Sequence, residues 1–245
     1  MKTLYIVKTG TTFAAVRRDH GDFDDWTRRA MGDTRLPCTV IDAQGLPVLP
    51  PAEACAGIVI TGSHAMVSDQ EHWSVRLETW IRTLLVAAVP VFGICYGHQL
   101  LAAAAGGTVA YHPQGKEIGT VDVQRCNLEE PDPLFDGLPA TFSAHATHAQ
   151  TVIRLPPGAL LLAGNRFEPH HAFRLGPCAW GVQFHPEYSP AIMRCYIAEQ
   201  AAALQRPGSE PERLSGAVTS TPEAERLLVR FVRLCEAGQD GIIAA

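Results

Sequence analysis

Between Val89 and Gly107 three local signals follow one another without a gap, and they restrict the fold more than any other stretch. Val89-Pro90-Val91-Phe92 is short and apolar, as a parallel strand buried on both faces would be. Gly93-Ile94-Cys95-Tyr96-Gly97 then sets one cysteine between glycines two residues away on either side. Leu100-Leu101-Ala102-Ala103-Ala104-Ala105 favours helix and stops at Gly106-Gly107, a C-terminal cap. A strand that passes through Gly-x-Cys-x-Gly into a helix has the layout of a nucleophile elbow. The glycines allow a cramped turn that pushes the central side chain into a cleft. A thiol at a helix N-terminus also feels the positive end of the helix dipole, which favours its thiolate.

The rest of the chain supplies elements for such a turn. Strand-like runs occur at Thr3–Lys8, Thr39–Asp42, Gly57–Thr61, Val89–Ile94, Thr108–Tyr111, Gly119–Gln124, Thr141–Ala144, His171–Leu175 and Ala179–Phe184. Helical patterns fit Asp24–Met31, His72–Ala87, His98–Ala105 and Pro190–Leu204. Within His72–Ala87, Trp73, Leu77, Trp80, Ile81, Leu84 and Leu85 recur at three- and four-residue intervals and give the helix an apolar face. The early alternation of strand and helix predicts an α/β fold with a flavodoxin-like, open, mostly parallel sheet. Helices cover both of its faces, and a small antiparallel insert comes in the later half. Ligands of such sheets sit at the C-terminal strand ends, where Ser63, Cys95 and His185 would emerge.

A second motif lies far down the chain at Gly181-Val182-Gln183-Phe184-His185-Pro186-Glu187. If Ala179–Phe184 is a strand, His185 stands at its end, and the alternation of extended residues turns His185 and Glu187 the same way. A carboxylate beside an imidazole holds its tautomer and stabilises the imidazolium, the orienting role in a Cys-His-acid triad. Pro186 stiffens the link between them.

The elbow and the Gln-Phe-His-Pro-Glu stretch, in this order, resemble class I (triad-type) glutamine amidotransferase domains. More closely, the chain resembles the stand-alone group labelled GMP synthase-like. Ile58-Val59-Ile60-Thr61-Gly62-Ser63, Thr147-His148-Ala149-Gln150-Thr151-Val152 and His171-Ala172-Phe173-Arg174 are lesser echoes. The resemblance spans roughly the first four-fifths of the chain, an ordinary size for one α/β domain. It implies Cys95 as nucleophile, His185 as base and Glu187 as its orienter. It further implies an oxyanion hole from the backbone N–H groups of Ser63 and Tyr96, and substrate contacts from Gln99, Thr147 and His148. Where the family commonly has Ser-His-Gly-Asp this chain has Thr147-His148-Ala149-Gln150, and Thr61-Gly62-Ser63-His64 replaces the Ser-Gly-Gly-Pro common in GMP synthases.

Composition narrows the function classes. The 245 residues are 47% hydrophobic, enough to bury a substantial core. A net charge of −5 with no Lys/Arg cluster argues against nucleic acid as a partner. No apolar run reaches membrane-spanning length, and Met1–Val7 is too short for a signal peptide and reads as a first strand. Seven cysteines without paired spacing suit a reducing cytoplasm better than a disulfide framework. Most of Cys38, Cys55, Cys126, Cys178, Cys195 and Cys235 read as inert filler. His145, His148, His170 and His171 lack the Cys pairs or His-Glu-x-x-His spacing of a metal site, so no metal and no cofactor is expected. His148 and His171 read instead as shaping strands or the cleft rim.

The tail differs from the rest. Residues 1–204 read as the amidotransferase-like domain, 205–220 as a linker rich in Pro, Gly, Ser and Glu, and 221–245 as a helical extension. Thr221-Pro222 offers an N-cap and an N1 proline. Leu227, Leu228, Phe231, Val232, Leu234 and Cys235 give the final helix an apolar stripe, expected to pack back on the same domain.

The implied reaction is hydrolysis of the γ-amide of glutamine or of another γ-glutamyl compound through a cysteinyl thioester. No Ser-Gly-Gly-x-Asp-Ser signature and no Walker loop occurs, so a synthetase half is expected to be separate if it exists. Three readings follow: a glutaminase acting with a separate synthetase subunit, a free-standing hydrolase of γ-glutamyl conjugates, or a non-catalytic binding relative. The complete set of Cys95, His185 and Glu187 argues against the last.

Overall fold

The computed structural model describes residues 2–204 and 210–239. In chain order the strands are β1 (Thr3–Lys8), β2 (Cys38–Asp42), β3 (Cys55–Ile60), β4 (Val91–Ile94), β5 (Thr108–Tyr111) and β6 (Glu117–Arg125). They continue with β7 (Thr141–His148), β8 (Gln150–Arg154), β9 (Ala159–Gly164), β10 (Ala172–Leu175) and β11 (Ala179–Val182). The α-helices are α1 (Ala14–His20), α2 (Phe23–Met31), α3 (His72–Val86), α4 (Tyr96–Ala104), α5 (Pro190–Glu199), α6 (Pro211–Gly216) and α7 (Pro222–Gln239).

Nine strands form one sheet in the order β2-β1-β3-β4-β11-β10-β9-β6-β7. The first five run parallel, with the doubly wound order that brings β3, β4 and β11 side by side. The pairings from β11 onward through β10, β9, β6 and β7 are antiparallel. The expected α/β sheet is therefore present, and its antiparallel part is a continuous extension of the parallel half. Only β5 and β8 stand apart, as a two-stranded ribbon.

Side-chain alternation divides the core between the two faces. Leu4, Ile6, Val59, Phe92 and Ile94 join one buried cluster with residues of α2 and α7, and Val7, Ile58, Ile60 and Val91 join another with residues of α3 and α4. Because both faces are covered, β3 and β4 are buried at every position, which is why they read as unbroken apolar runs.

The tail helix is part of this core. Leu227, Leu228, Phe231, Val232 and Cys235 of α7 are fully or almost fully buried. The helix presses so close on β3 that a Cβ at Gly57 would overlap the Cys235 sulfur. Phe231 meets Phe92 and Trp180 with ring centroids 5.4 and 6.3 Å apart. Glu236 accepts from the Arg35 amide at 2.7 Å and the Thr34 hydroxyl at 3.1 Å, which ties the helix to the loop before β2. Phe231→Ala is therefore expected to cost about 3–5 kcal/mol. Denaturant unfolding checks this, and a loss below about 1 kcal/mol would mean that α7 does not anchor the sheet.

Several elements differ from the sequence reading. β8 and β9 were not expected: a single residue separates β7 from β8, so their polar junction reads as one loop, and Leu160-Leu161-Leu162 has no distinguishing period. Helix α1 was also missed, being seven residues long with no side-chain N-cap. Pro190–Leu204 splits into α5 and a 3₁₀ turn at Ala201–Leu204. Inside the segment read as a linker, α6 forms and packs on α5 and β6, while residues 205–209 lie outside the described residues.

Candidate active site

Cys95 is the single residue between β4 and α4, and its backbone is left-handed, with φ 49° and ψ −95°. That region is unfavourable for a residue with a Cβ and is kept only where surrounding structure enforces it. Gly93 and Gly97 do not carry the bend themselves. Their role is close approach: a Cβ on Gly93 would overlap the Gly97 carbonyl, and one on Gly97 would stand 2.5 Å from the Ile60 oxygen. With α4 pressed on β3 and β4, the turn has to be completed at Cys95 itself, and the strain falls on the thiol-bearing residue. The Cys95 thiol donates to the Thr147 carbonyl at 3.9 Å.

His185 and Glu187 meet by a different route from the one expected. β11 ends at Val182, and the chain then turns, with the Tyr188 amide donating to the His185 carbonyl at 3.4 Å. Across this turn the His185 Nδ1 lies 2.7 Å from Glu187 Oε1. The pairing belongs to a turn and owes nothing to strand alternation. The His185 amide donates to the His145 carbonyl at 2.7 Å, and the Tyr188 ring stacks on the imidazole at 4.0 Å. Both His185 and Glu187 are buried. Burial opposes charge on His185, but the Glu187 carboxylate and then the Cys95 thiolate outweigh it and raise the imidazole to about 10. The outer nitrogen, Nε2, has no hydrogen-bond partner among the described residues.

Cys95 and His185 line a cleft of about 270 Å³, and Ser63, Tyr96, Gln99, Thr147 and His148 line it with them. Glu187 sits behind the imidazole and lines a separate groove. Tyr96 opens α4, so its amide lies outside the helical ladder, while its hydroxyl bonds to Ser74 at 2.6 Å. The Ser63 hydroxyl donates to the Thr9 carbonyl and accepts from the Ala65 amide, which leaves the backbone as what this residue offers a ligand. Gln99 Nε2 donates to the Gln150 carbonyl at 2.8 Å and to Gln183 Oε1 at 3.0 Å, so its free atom is the carbonyl oxygen. The His148 nitrogens lie 3.0 Å from the Gln150 carbonyl and 3.0 Å from Glu117 Oε2.

Sequence reasoning missed several lining residues. Lys116 faces Cys95 across the cleft; burial lowers its pKa and the Cys95 thiolate raises it. It bonds to Gln200, which donates to the Thr147 hydroxyl at 3.3 Å. Glu117 was missed as well. Burial disfavours its charge, but hydrogen bonds from His148 and His171 hold the carboxyl well below the usual range. Neither residue sits in a motif; β6 lying beside β7 brings Lys116 to the cleft and sets Glu117 against His148. Burial pushes up the thiols of the other six cysteines, Cys55 to about 11. Among the described residues no group of three or more His, Cys, Asp or Glu is disposed to hold a metal.

These buried groups set the pH dependence of stability. Burial holds His98 down at about 3 and His145 at about 4, against about 6.5 in an unfolded chain. Below about pH 6.5 the unfolded state takes up protons that these folded histidines refuse. Stability then falls by about 1.4 kcal/mol per pH unit for each. His185, raised to about 10, acts in the opposite sense: its contribution is complete below about pH 6.5 and is lost as pH rises toward 10. The melting temperature is therefore expected to peak near pH 6.5 and to fall on both sides. A flat profile from pH 5 to 8 would contradict this assignment.

Fold and site together define an α/β protein with a cysteine elbow and a His–carboxylate pair at the C-terminal ends of adjacent parallel strands. The family model for glutamine amidotransferase class-I matches residues 18–202, and the chain belongs to that family of enzymes. It is 37% identical over 152 residues to a GMP synthase [glutamine-hydrolyzing] of Aeropyrum pernix, covering 62% of this chain and 27% of that protein. It is 30% identical over 174 residues to a gamma-glutamyl-L-1-hydroxyisopropylamide hydrolase of a Pseudomonas species, covering 65% of this chain and 56% of that protein. The chain thus spans about a quarter of the length of the first of these relatives and just over half of the second. A solved glutamine amidotransferase structure from Methylobacillus flagellatus shares the fold, with a TM-score of 0.75 at 23% identity over 95% of each chain. No helix among the described residues is long and apolar enough to cross a membrane.

Proposed function

We propose that this cleft hydrolyses the γ-amide of glutamine or of a γ-glutamyl conjugate through a thioester on Cys95. The observation that carries the reading is the left-handed Cys95 at the start of α4, in one cleft with a His185 whose far nitrogen is held by Glu187 at 2.7 Å. The thiolate attacks the amide carbon, and the carbonyl oxygen becomes an oxyanion received by the backbone N–H groups of Ser63 and Tyr96. One such donor is worth about 3–4 kcal/mol of transition-state stabilisation. The His185 imidazolium gives its proton to the nitrogen as the C–N bond breaks, and ammonia or an amine leaves. Neutral His185 then takes a proton from water, whose oxygen attacks the thioester. The γ-carboxylate departs and the thiolate of Cys95 is restored. Glu187 holds the ring and stabilises its charged form, while Gln99, Thr147 and His148 frame the amino-acid end.

The matched relatives support two versions of this chemistry. The GMP synthase likeness favours a glutaminase that passes ammonia to a separate synthetase subunit. The gamma-glutamyl-amide hydrolase likeness favours a free-standing hydrolase, the version this chain's altered Ser63-His64 and Ala149-Gln150 positions accompany. The test is to follow glutamate and released amine together from the isolated chain. A chloroketone analogue of glutamine should form a stoichiometric adduct that maps to Cys95 by mass spectrometry. Labelling confined to Cys38 or Cys126 would sink the reading.

A further inference from the structure

The leaving nitrogen has to lie within reach of His185, so any substituent it carries projects onto the wall beside that ring. That wall is aromatic. Tyr188 stacks on His185, Tyr196 follows with its ring centroid 4.9 Å from Tyr188, and Phe13 lies 5.2 Å from Tyr196. His64 is 4.4 Å from Phe13 and 5.9 Å from Phe23, and all these rings line the cleft. The imidazole packs closely on Gly62, where a Cβ would stand 3.0 Å from His185 Cε1 and 3.7 Å from Phe23 Cε1.

Some polar atoms of this wall bond within it, while the Tyr188 hydroxyl has no hydrogen-bond partner among the described residues. The Tyr196 hydroxyl bonds to the Thr12 hydroxyl at 2.6 Å and lies 3.3 Å from His64 Nε2. Aromatic rings nonetheless dominate this part of the cleft lining. Gln99, Lys116, Thr147 and Gln150 line the same cleft with polar side chains. Ammonia gains nothing from an apolar wall, whereas an alkyl or aryl amine gains roughly fourfold in binding for each methylene it buries.

We propose that the aromatic wall is an amine-side subsite, and that the substrate is the γ-glutamyl amide of an apolar amine, with Phe13 and His64 setting that preference. This rests on the γ-amide hydrolysis proposed above. The two are tested separately by combining turnover of the active chain with binding to an inactive one.

The kinetic arm measures kcat/KM of the purified chain on L-glutamine, γ-glutamylglycine and γ-glutamyl benzylamide. The benzylamide is expected to lead glutamine by at least about tenfold, with the charged γ-glutamylglycine below it. His64→Ala, at an exposed position, and Phe13→Ala should each lower the benzylamide-to-glutamine ratio about tenfold, mainly through KM. Equal kcat/KM for benzylamide and glutamine, or a ratio unmoved by both variants, would overturn the subsite. The binding arm uses calorimetry on Cys95→Ser, which need not turn over. Benzylamide bound about tenfold tighter than glutamine supports the subsite even if the native chain cleaves neither compound, a result that would reject hydrolysis alone. Equal binding of the two compounds rejects the subsite.

Discussion

Cys95→Ser is expected to lower the turnover of any γ-glutamyl amide by about four to six orders of magnitude while leaving the melting temperature within a few degrees of the parent. A triad enzyme that loses its nucleophile retains only what the oxyanion site and substrate binding supply. The hydroxyl is smaller than the thiol, occupies the same place beside the Thr147 carbonyl, and has no thiolate character near neutral pH. The left-handed turn stays in place, because contacts between Gly93, Gly97 and Ile60 hold it and the side chain at Cys95 does not. Steady-state kinetics with a sensitive glutamate assay decides the matter. Residual turnover above about one part in a thousand would assign the nucleophile elsewhere.

His185→Ala is expected to fall as far as the nucleophile variant, about 10⁶-fold, whereas Glu187→Gln should fall by about 10⁴-fold. The difference follows from geometry. In the proposed reaction His185 moves the protons, and Glu187 only orients and charges the ring through one 2.7 Å contact. Glu187→Gln also removes the carboxylate that raises His185, so the alkaline limb of the pH–rate profile should move down toward neutral pH. A profile unchanged in Glu187→Gln would mean that the carboxylate does not govern the imidazole. Near-native turnover in His185→Ala would mean that another group delivers the proton.

The local signals in the sequence were reliable where one segment carries its own reason. Strands β3 and β4 read correctly because both faces of a parallel strand are buried, and α3 because its apolar residues keep a helical period. The elbow was legible because a cysteine between two close-packing glycines leaves few other arrangements. The His-Pro-Glu placement was legible as a pair, but the reason assigned to it was wrong, since a turn and not a strand brings the two side chains together. β8 and β9 were illegible: their apolar content suits several elements, and only pairing with β5, and with β10 and β6, defines them.

What the sequence by itself determined was the family and the local frame of its site: a cysteine at the end of a buried strand, a histidine beside a carboxylate, and sheet enough to hold both. Only the tertiary structure decided what surrounds them. Lys116 reaches the cleft, and Glu117 reaches His148, because β6 pairs with β7, and Phe13, His64 and Tyr196 form one wall because α1, the loop after β3 and α5 converge there. The physical reason is range. A turn, a cap or a buried strand is specified by interactions among residues a few positions apart. A cleft wall is a sum of contacts between segments as far apart as residues 13 and 196 in the chain, none of which has any local signature.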